Sequence, residues 1–277
     1  MRRGIIYSVL LSILCLARAS ADDSLSIIRE LPMTARLMTV DELGNVYVVR
    51  DNNALVRFNE YGDSSAFYRS VQNGNIGAVD ASNPLRVVVY YPAYSRTVLL
   101  DRMLAEKNNL NLRRTNVFTT PVIASSADGN LWIYDQFNVR LRKIDEQLAE
   151  IAQSNDIRQE AQTVPAPSFM VERNWKLFLC DTAKGIFTFD RYGNYINTLS
   201  IYGVKYLQVF GPQLLFRHQD TMYSWDMNKA TYHSLLIPHG NNHIINAAIV
   251  RSTLYVLYAD RLTLYRLPKD KITGTGE

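Results

Sequence analysis

The chain has 277 residues, with 47% hydrophobic and 20% charged residues, two cysteines and a formal net charge of +4. That composition excludes a disordered, collagen-like or coiled-coil chain, and two cysteines exclude a disulfide-framed scaffold. The aromatic content, 11% with 17 Tyr, favours strands.

The first segment in chain order reads as an export signal. Arg2-Arg3 precede an apolar run from Gly4 to Leu16, followed by the overlapping small-x-small sites Ala17-Arg18-Ala19 and Ala19-Ser20-Ala21. A short basic region, a short apolar core and such a site define a secretory signal peptide, and the core is too short to span a bilayer. Leu14 before Cys15 departs from a lipoprotein cleavage site, which wants a small residue there, and the rest of a twin-arginine motif is absent. Residues 1–21 are therefore expected to be removed, leaving 256 residues. Arg2, Arg3 and Arg18 leave with the signal and no acid does, so the net charge falls to +1. This weakens any nucleic-acid reading, including one built on Arg113-Arg114 with Phe118, because nucleic acid calls for a clustered positive surface. The expected location is the periplasm. The remaining thiol, Cys180, sits in the apolar run 177–180 and reads as a small buried hydrophobe.

A strand-turn-strand unit then recurs six times. Its second-strand centres are Tyr47, Val88, Trp132, Phe178, Leu215 and Tyr255, at steps of 41, 44, 46, 37 and 40. A period near 40–45 with several strands per unit marks a β-propeller blade, and six such units use the whole mature chain. A β-sandwich, the competing reading, does not require one unit repeated six times. The fold class is all-β, a six-bladed β-propeller with four-stranded blades over residues 22–268. The third strand of a unit often ends in Asp, as at Asp101, Asp145, Asp190 and Asp226. A weaker fourth strand follows in five units. The sixth lacks one and ends in a tail, residues 269–277. The unpaired stretch Leu25–Leu31 is expected to close the last blade and so remove an exposed edge.

The stretches Val40–Asn53 and Ser125–Arg140 resemble NHL-type propeller repeats. There a D-x-x-G-N turn precedes the second strand and a D-x-x-N-x-R run leads into the third. The third unit fits well and the first in part, whereas the second, fifth and sixth depart from the pattern. The runs Val79–Asp80, Asn83–Tyr91, Val98–Asp101 and Leu131–Tyr134 are similar to secreted envelope propellers of Bacteroidota. This resemblance implies a periplasmic, non-enzymatic protein and supplies no catalytic residues.

Propeller sites lie where the loops between blades and those joining second to third strands meet the channel mouth. That face is expected to gather Arg36, Arg50, Tyr91, Tyr94, Arg96, Arg113, Arg114, Phe137, Tyr202, Arg217, His218, His239 and His243. Tyr and Arg are the residue types enriched at protein interfaces. An envelope protein, such as one of outer-membrane secretion or assembly machinery, is the expected partner, with no nucleic acid, no membrane span and no cofactor. Two alternatives come from other classes. One is a calcium-dependent lactonase-like or sugar-active enzyme, but the inner strands as read hold a single carboxylate, Asp80, and a hard cation wants several oxygen ligands. The other is a small-ligand sensor built on Tyr91, Tyr94, Phe137 and Tyr202. In His239-Gly240-Asn241-Asn242-His243 the two histidines stand at a zinc-like spacing, but Pro238 and Gly240 argue for a loop rather than the helix that spacing serves.

Overall fold

A computed structural model describes residues 25–117 and 119–268. The expected signal segment, Cys15, Phe118 and the 269–277 tail lie outside the described residues.

Twenty-four strands form six four-stranded antiparallel sheets. Blade 1 contains β2 (Ala35–Val40), β3 (Val46–Arg50), β4 (Leu55–Phe58) and β5 (Ser64–Tyr68). Blade 2 contains β6 (Ala78–Asp80), β7 (Val87–Tyr91), β8 (Arg96–Leu100) and β9 (Glu106–Asn111). Blade 3 contains β10 (Ile123–Ser125), β11 (Leu131–Asp135), β12 (Arg140–Ile144) and β13 (Glu150–Gln153). Blade 4 contains β14 (Phe169–Arg173), β15 (Lys176–Asp181), β16 (Gly185–Asp190) and β17 (Tyr195–Leu199). Blade 5 contains β18 (Leu207–Phe210), β19 (Gln213–His218), β20 (Thr221–Asp226) and β21 (Thr231–Leu236). Blade 6 contains β22 (Ile244–Val250), β23 (Thr253–Tyr258) and β24 (Arg261–Arg266), and its outer strand is β1 (Ser26–Pro32). The inner strands of blades 1 to 5 contact one another in sequence around the axis, β22 meets blade 5 through β19, and β2 touches β22, so the ring is closed. Among the described residues one short α-helix, α1 (Ile157–Glu160), lies in the connection between blades 3 and 4.

The core is six separate wedges, one between each pair of neighbouring blades. Strand alternation explains why. On β3, Tyr47 and Val49 point toward blade 2, while Val46 and Val48 point toward blade 6. A central strand with apolar neighbours on both faces is apolar along its length, so Val87–Tyr91 and Leu131–Tyr134 are apolar and buried at every position, and β11 then ends in the buried Asp135. Cys180 fills one wedge as a small hydrophobe, and burial pushes its thiol pKa up.

The closure of blade 6 follows the expected course. β1 pairs antiparallel with β24 from Ser26↔Arg266 to Pro32↔Arg261, with a bulge between Ile27 and Arg29. Leu31 packs into the wedge between blades 6 and 1, and Glu30 lies 3.3 Å from Arg261.

The recurring acids are turn formers. Asp101 accepts the N–H groups of Met103 and Ala105, at 2.8 and 2.9 Å. Asp145 and Asp190 accept from the equivalent positions, and Asn59 does the same with a neutral oxygen. In the D-x-x-G-N turn of blade 1, Asp41 accepts from Leu43, Asn45 and the Tyr47 hydroxyl. Gly44 has φ +86° there, and a Cβ would meet the Tyr255 hydroxyl at 3.0 Å, so glycine is required twice over.

These turns make stability acid-sensitive. The Ala105 N–H bond, ahead of any other influence, holds the Asp101 carboxyl below the usual range. Burial pushes Asp190 up, but hydrogen bonds from Asn194, Tyr192 and Gly193 outweigh it and the net shift is downward. A carboxylate depressed in the folded state contributes stability above its unfolded pKa of about 3.9 and loses it as pH falls through the folded value. Melting temperature is therefore expected to be level from about pH 7 to 5 and to fall below about pH 4. Asp101→Asn with Asp190→Asn keeps the acceptor oxygens, as Asn59 shows, so the double variant should melt near the parent at neutral pH and with a shallower acid slope. Thermal melts across that range check this, and an unchanged slope counts against it.

Candidate functional site

The loops joining blades and those joining second to third strands share one face, here the loop face. The opposite, turn face carries the first-to-second and third-to-fourth strand turns. The sequence-predicted residues fall on the loop face, but the structure sorts them into three groups.

The first surrounds the channel mouth at blades 1, 5 and 6. Arg36 is exposed on β2, and its Nη2 donates to Asn53 Oδ1 at 2.7 Å. Arg217, half-buried at the end of β19, donates from Nη2 to the Ile245 carbonyl at 3.0 Å and also to the Gln219 carbonyl. Burial lowers the pKa of both guanidinium groups, and the charges of Asp51 and Asp220 oppose that shift for Arg36 and Arg217 respectively. Beside Arg217 a cleft of about 370 Å³ runs between Gln219-Asp220 and residues 239–244. His239 and His243 line it, with His239 Nε2 3.4 Å from Asp220 Oδ2. Among the described residues no group of three or more His, Cys, Asp or Glu is placed to hold a metal. Arg50 lies half-buried at the end of β3, opposite Ala35 of β2. His218 is exposed and packs against Gly203.

The second group lies on the rim at blade 2. Tyr94 is 49% exposed in a 3-10 turn after β7. Arg96 donates to Asn109 of the outer strand, and Arg113 of a second 3-10 turn reaches the Ala93 carbonyl. Arg114, in that same turn, is exposed. The third group is two isolated aromatics, Phe137 and Tyr202, at 84% and 57% exposure.

Tyr91 corrects the sequence reading. It is fully buried at the end of β7, in the wedge between blades 1 and 2, so it is no surface contact. β7 runs one residue further than a loop assignment allows, and the chain turns only at Pro92. The proposed aromatic sensor set loses a member with it.

The inner strands hold two carboxylates rather than one, because β14 extends to Arg173 and includes Glu172. Neither faces an empty channel. Glu172 accepts from the Trp132 indole at 2.6 Å, the Ser126 hydroxyl at 2.7 Å and the Ala127 N–H at 3.0 Å, all in blade 3. Asp80 accepts the Ser125 N–H at 2.6 Å, also in blade 3. Gln208 exchanges two bonds with Ile249 of blade 6, and Asn246 donates to the Met38 carbonyl of blade 1. Asp80, Glu172, Gln208 and Asn246 are thus clasps between blades.

Two mouth residues escaped the sequence reading of the site. Burial raises the pKa of Tyr206, just before β18, and the charges of Arg217 and Arg36 oppose that shift. Phe169 of β14 packs edge-on against it, ring centroids 5.7 Å apart. Their aromatic character was visible, but not the spatial pairing.

No family model matches this chain, and no curated protein matches it. Solved structures do. A chain of the mitotic checkpoint complex superposes with a TM-score of 0.64 at 9% identity, covering 96% of this chain and 99% of that one. Virginiamycin B lyase from Staphylococcus aureus gives 0.61 at 12%, covering 87% and 99%. BamB from Moraxella catarrhalis gives 0.51 at 11%, covering 89% and 98%. At these identities the likeness is one of fold, and the fold is shared by an enzyme and by a component of a protein complex. Among the described residues no helix is long and apolar enough to cross a membrane. What the comparisons and the geometry establish together is a six-bladed β-propeller.

Proposed function

We propose that this propeller is an exported, non-enzymatic binding platform that engages another cell-envelope protein through its loop face. The observation that carries the reading is the contrast between hub and mouth. The inner-strand carboxylates are consumed by bonds between blades, whereas the loop face presents arginines tied to neutral acceptors and exposed aromatics. Arginine and aromatic side chains of that kind anchor protein partners. A closed ring of sheets fixes its loops, so little ordering cost is added on binding. The resemblance to secreted envelope propellers, the signal-like N-terminus and the shared fold with BamB support the envelope address.

A photoreactive amino acid placed at Phe137 or Tyr202, and for comparison at Tyr61 or Tyr192 on the turn face, tests this in cells. The expected result is one discrete crosslinked envelope protein from the loop-face positions alone. No product from that face, or equal products from both, would remove the reading.

A further inference from the structure

We propose that β21, the outer strand of blade 5, pairs with the same strand of a second copy of this chain, so that two propellers join edge to edge as a twofold dimer. The pairing is antiparallel and centred on Ser234.

An outer strand leaves a row of backbone N–H and C=O groups unpaired, and folds blunt such edges with bulges, charges or proline. Five of the six blades do so here. A bulge interrupts the pairing of β1, β5, β9, β13 and β17 with the strand inside each of them. β1, β9 and β13 carry charged side chains as well. Among the described residues β21 alone has neither device. Its six residues, Thr231-Tyr232-His233-Ser234-Leu235-Leu236, include no Lys, Arg, Asp, Glu or Pro. They pair with β20 without a break from Thr221↔Leu236 to Asp226↔Thr231.

The hydrogen-bond pattern shows which groups are free. Ile237, just past the strand, donates its N–H to the Asp220 carbonyl, and Met227, just past the other end of β20, donates away from β21 to the Pro212 carbonyl. Bonded positions alternate along an antiparallel ladder. The odd-numbered residues of β21 therefore turn their backbone groups to β20, and Tyr232, Ser234 and Leu236 turn theirs outward. The side chains of these three share one face of the sheet. Tyr232 lies beside Trp225 on that face, ring centroids 6.2 Å apart. Tyr232 and Leu236 are 54% and 67% exposed, whereas Leu235, on the other face, packs into the wedge toward blade 6.

These positions complement themselves. A twofold axis through Ser234, perpendicular to the sheet, sets Ser234 opposite Ser234 and, twice over, Tyr232 opposite Leu236 of the other copy. Every outward backbone position then meets an outward one, for about six hydrogen bonds. Each exposed tyrosine is covered by an exposed leucine, a favourable cross-strand pair. Centring on His233 or Leu235 instead sets Ser234 against Tyr232 or Leu236 and breaks both Tyr–Leu pairs. Charge agrees with the Ser234 register: the exposed Lys229, beyond one end of β21, comes to the end where the other copy carries Asp220. The paired strands run in opposite directions, so the two loop faces point opposite ways and neither is covered. Six residues a side is few against the roughly 20–30 of a standard interface. Dilute protein should therefore be monomeric, with the dimer forming as concentration rises.

Sedimentation velocity of the intact protein over a concentration series tests the proposal, and a reversible monomer–dimer equilibrium is the expected result. Tyr232→Lys with Leu236→Lys sets like charges opposite each other and should weaken the dimer at least about tenfold. Tyr232→Glu with Leu236→Lys sets opposite charges there and should keep it within about threefold of the parent. If either variant melts early, Ser234→Cys decides. That position lies on the axis, so a short bismaleimide should join two copies through it, Cys180 being buried. Asn197→Cys, on the outer strand of blade 4, should give no such product. A protein monomeric at every concentration, a dimer that survives the lysine pair, equal loss with both charge patterns, or no crosslink at position 234 would overturn the proposal.

Discussion

Glu172→Ala should lower unfolding free energy by roughly 3–5 kcal/mol. The variant leaves the Trp132 indole N–H, the Ser126 hydroxyl and the Ala127 N–H without their acceptor. Trp132 and Ser126 are buried, so water cannot replace the lost oxygens. Bonds to a charged acceptor contribute about 1.5–3 kcal/mol each, and a stranded donor adds its own desolvation cost. For a domain of this size the change corresponds to a fall in melting temperature of about 10 °C or more. Glu172→Gln keeps the shape and one acceptor oxygen, so it should lose about half as much. Urea titrations of the three proteins give the comparison directly. An alanine variant within about 1 kcal/mol of the parent would show that the clasp contributes little.

Removing residues up to Leu31 should cost more still and change behaviour as well as stability. β24 would lose the pairing that runs from Ser26↔Arg266 to Leu31↔Leu262, together with the contacts of Glu30 with Arg261 and Thr263. A net gain of about 0.5–1.5 kcal/mol per hydrogen bond makes the ladder alone worth several kcal/mol. The bared strand would present a row of unpaired N–H and C=O groups, the usual template for edge-to-edge association. The truncated protein should therefore melt with poor cooperativity and form oligomers in light scattering. A synthetic peptide covering residues 25–33, added in trans, should restore the monomer. A truncated chain that stays monomeric and melts like the parent would contradict the closure.

Much of this architecture was legible because each blade repeats a local instruction. Period-2 alternation with apolar residues on both faces marked the central strands, and aspartates at strand ends marked turns that the structure shows them building. The errors arose where local pattern meets long-range geometry. Tyr91 is followed by Pro92, which favours a loop locally, yet the β7 ladder holds to its last residue. Glu172 finds its partners 40 or more residues away, so no local pattern places it in its strand. The mouth is a further step removed. Tyr206 meets Phe169 only because blades 4 and 5 stand side by side in the closed ring. No short window of sequence encodes that meeting.

The pairing of Glu30 with Thr263, 233 positions apart, imposes a timetable on assembly. Blades 1 to 5 can each be completed as the polypeptide emerges, since their strands are consecutive. Blade 6 must wait for both extremities, and contacts of such long span are slow to form. Until then a five-sixths arc stays open with raw borders at each end, a state prone to sticking to its own kind. A cell that makes this protein must shelter the incomplete arc, and holding factors acting before the last segment arrives would govern its yield more than the stability of the finished ring.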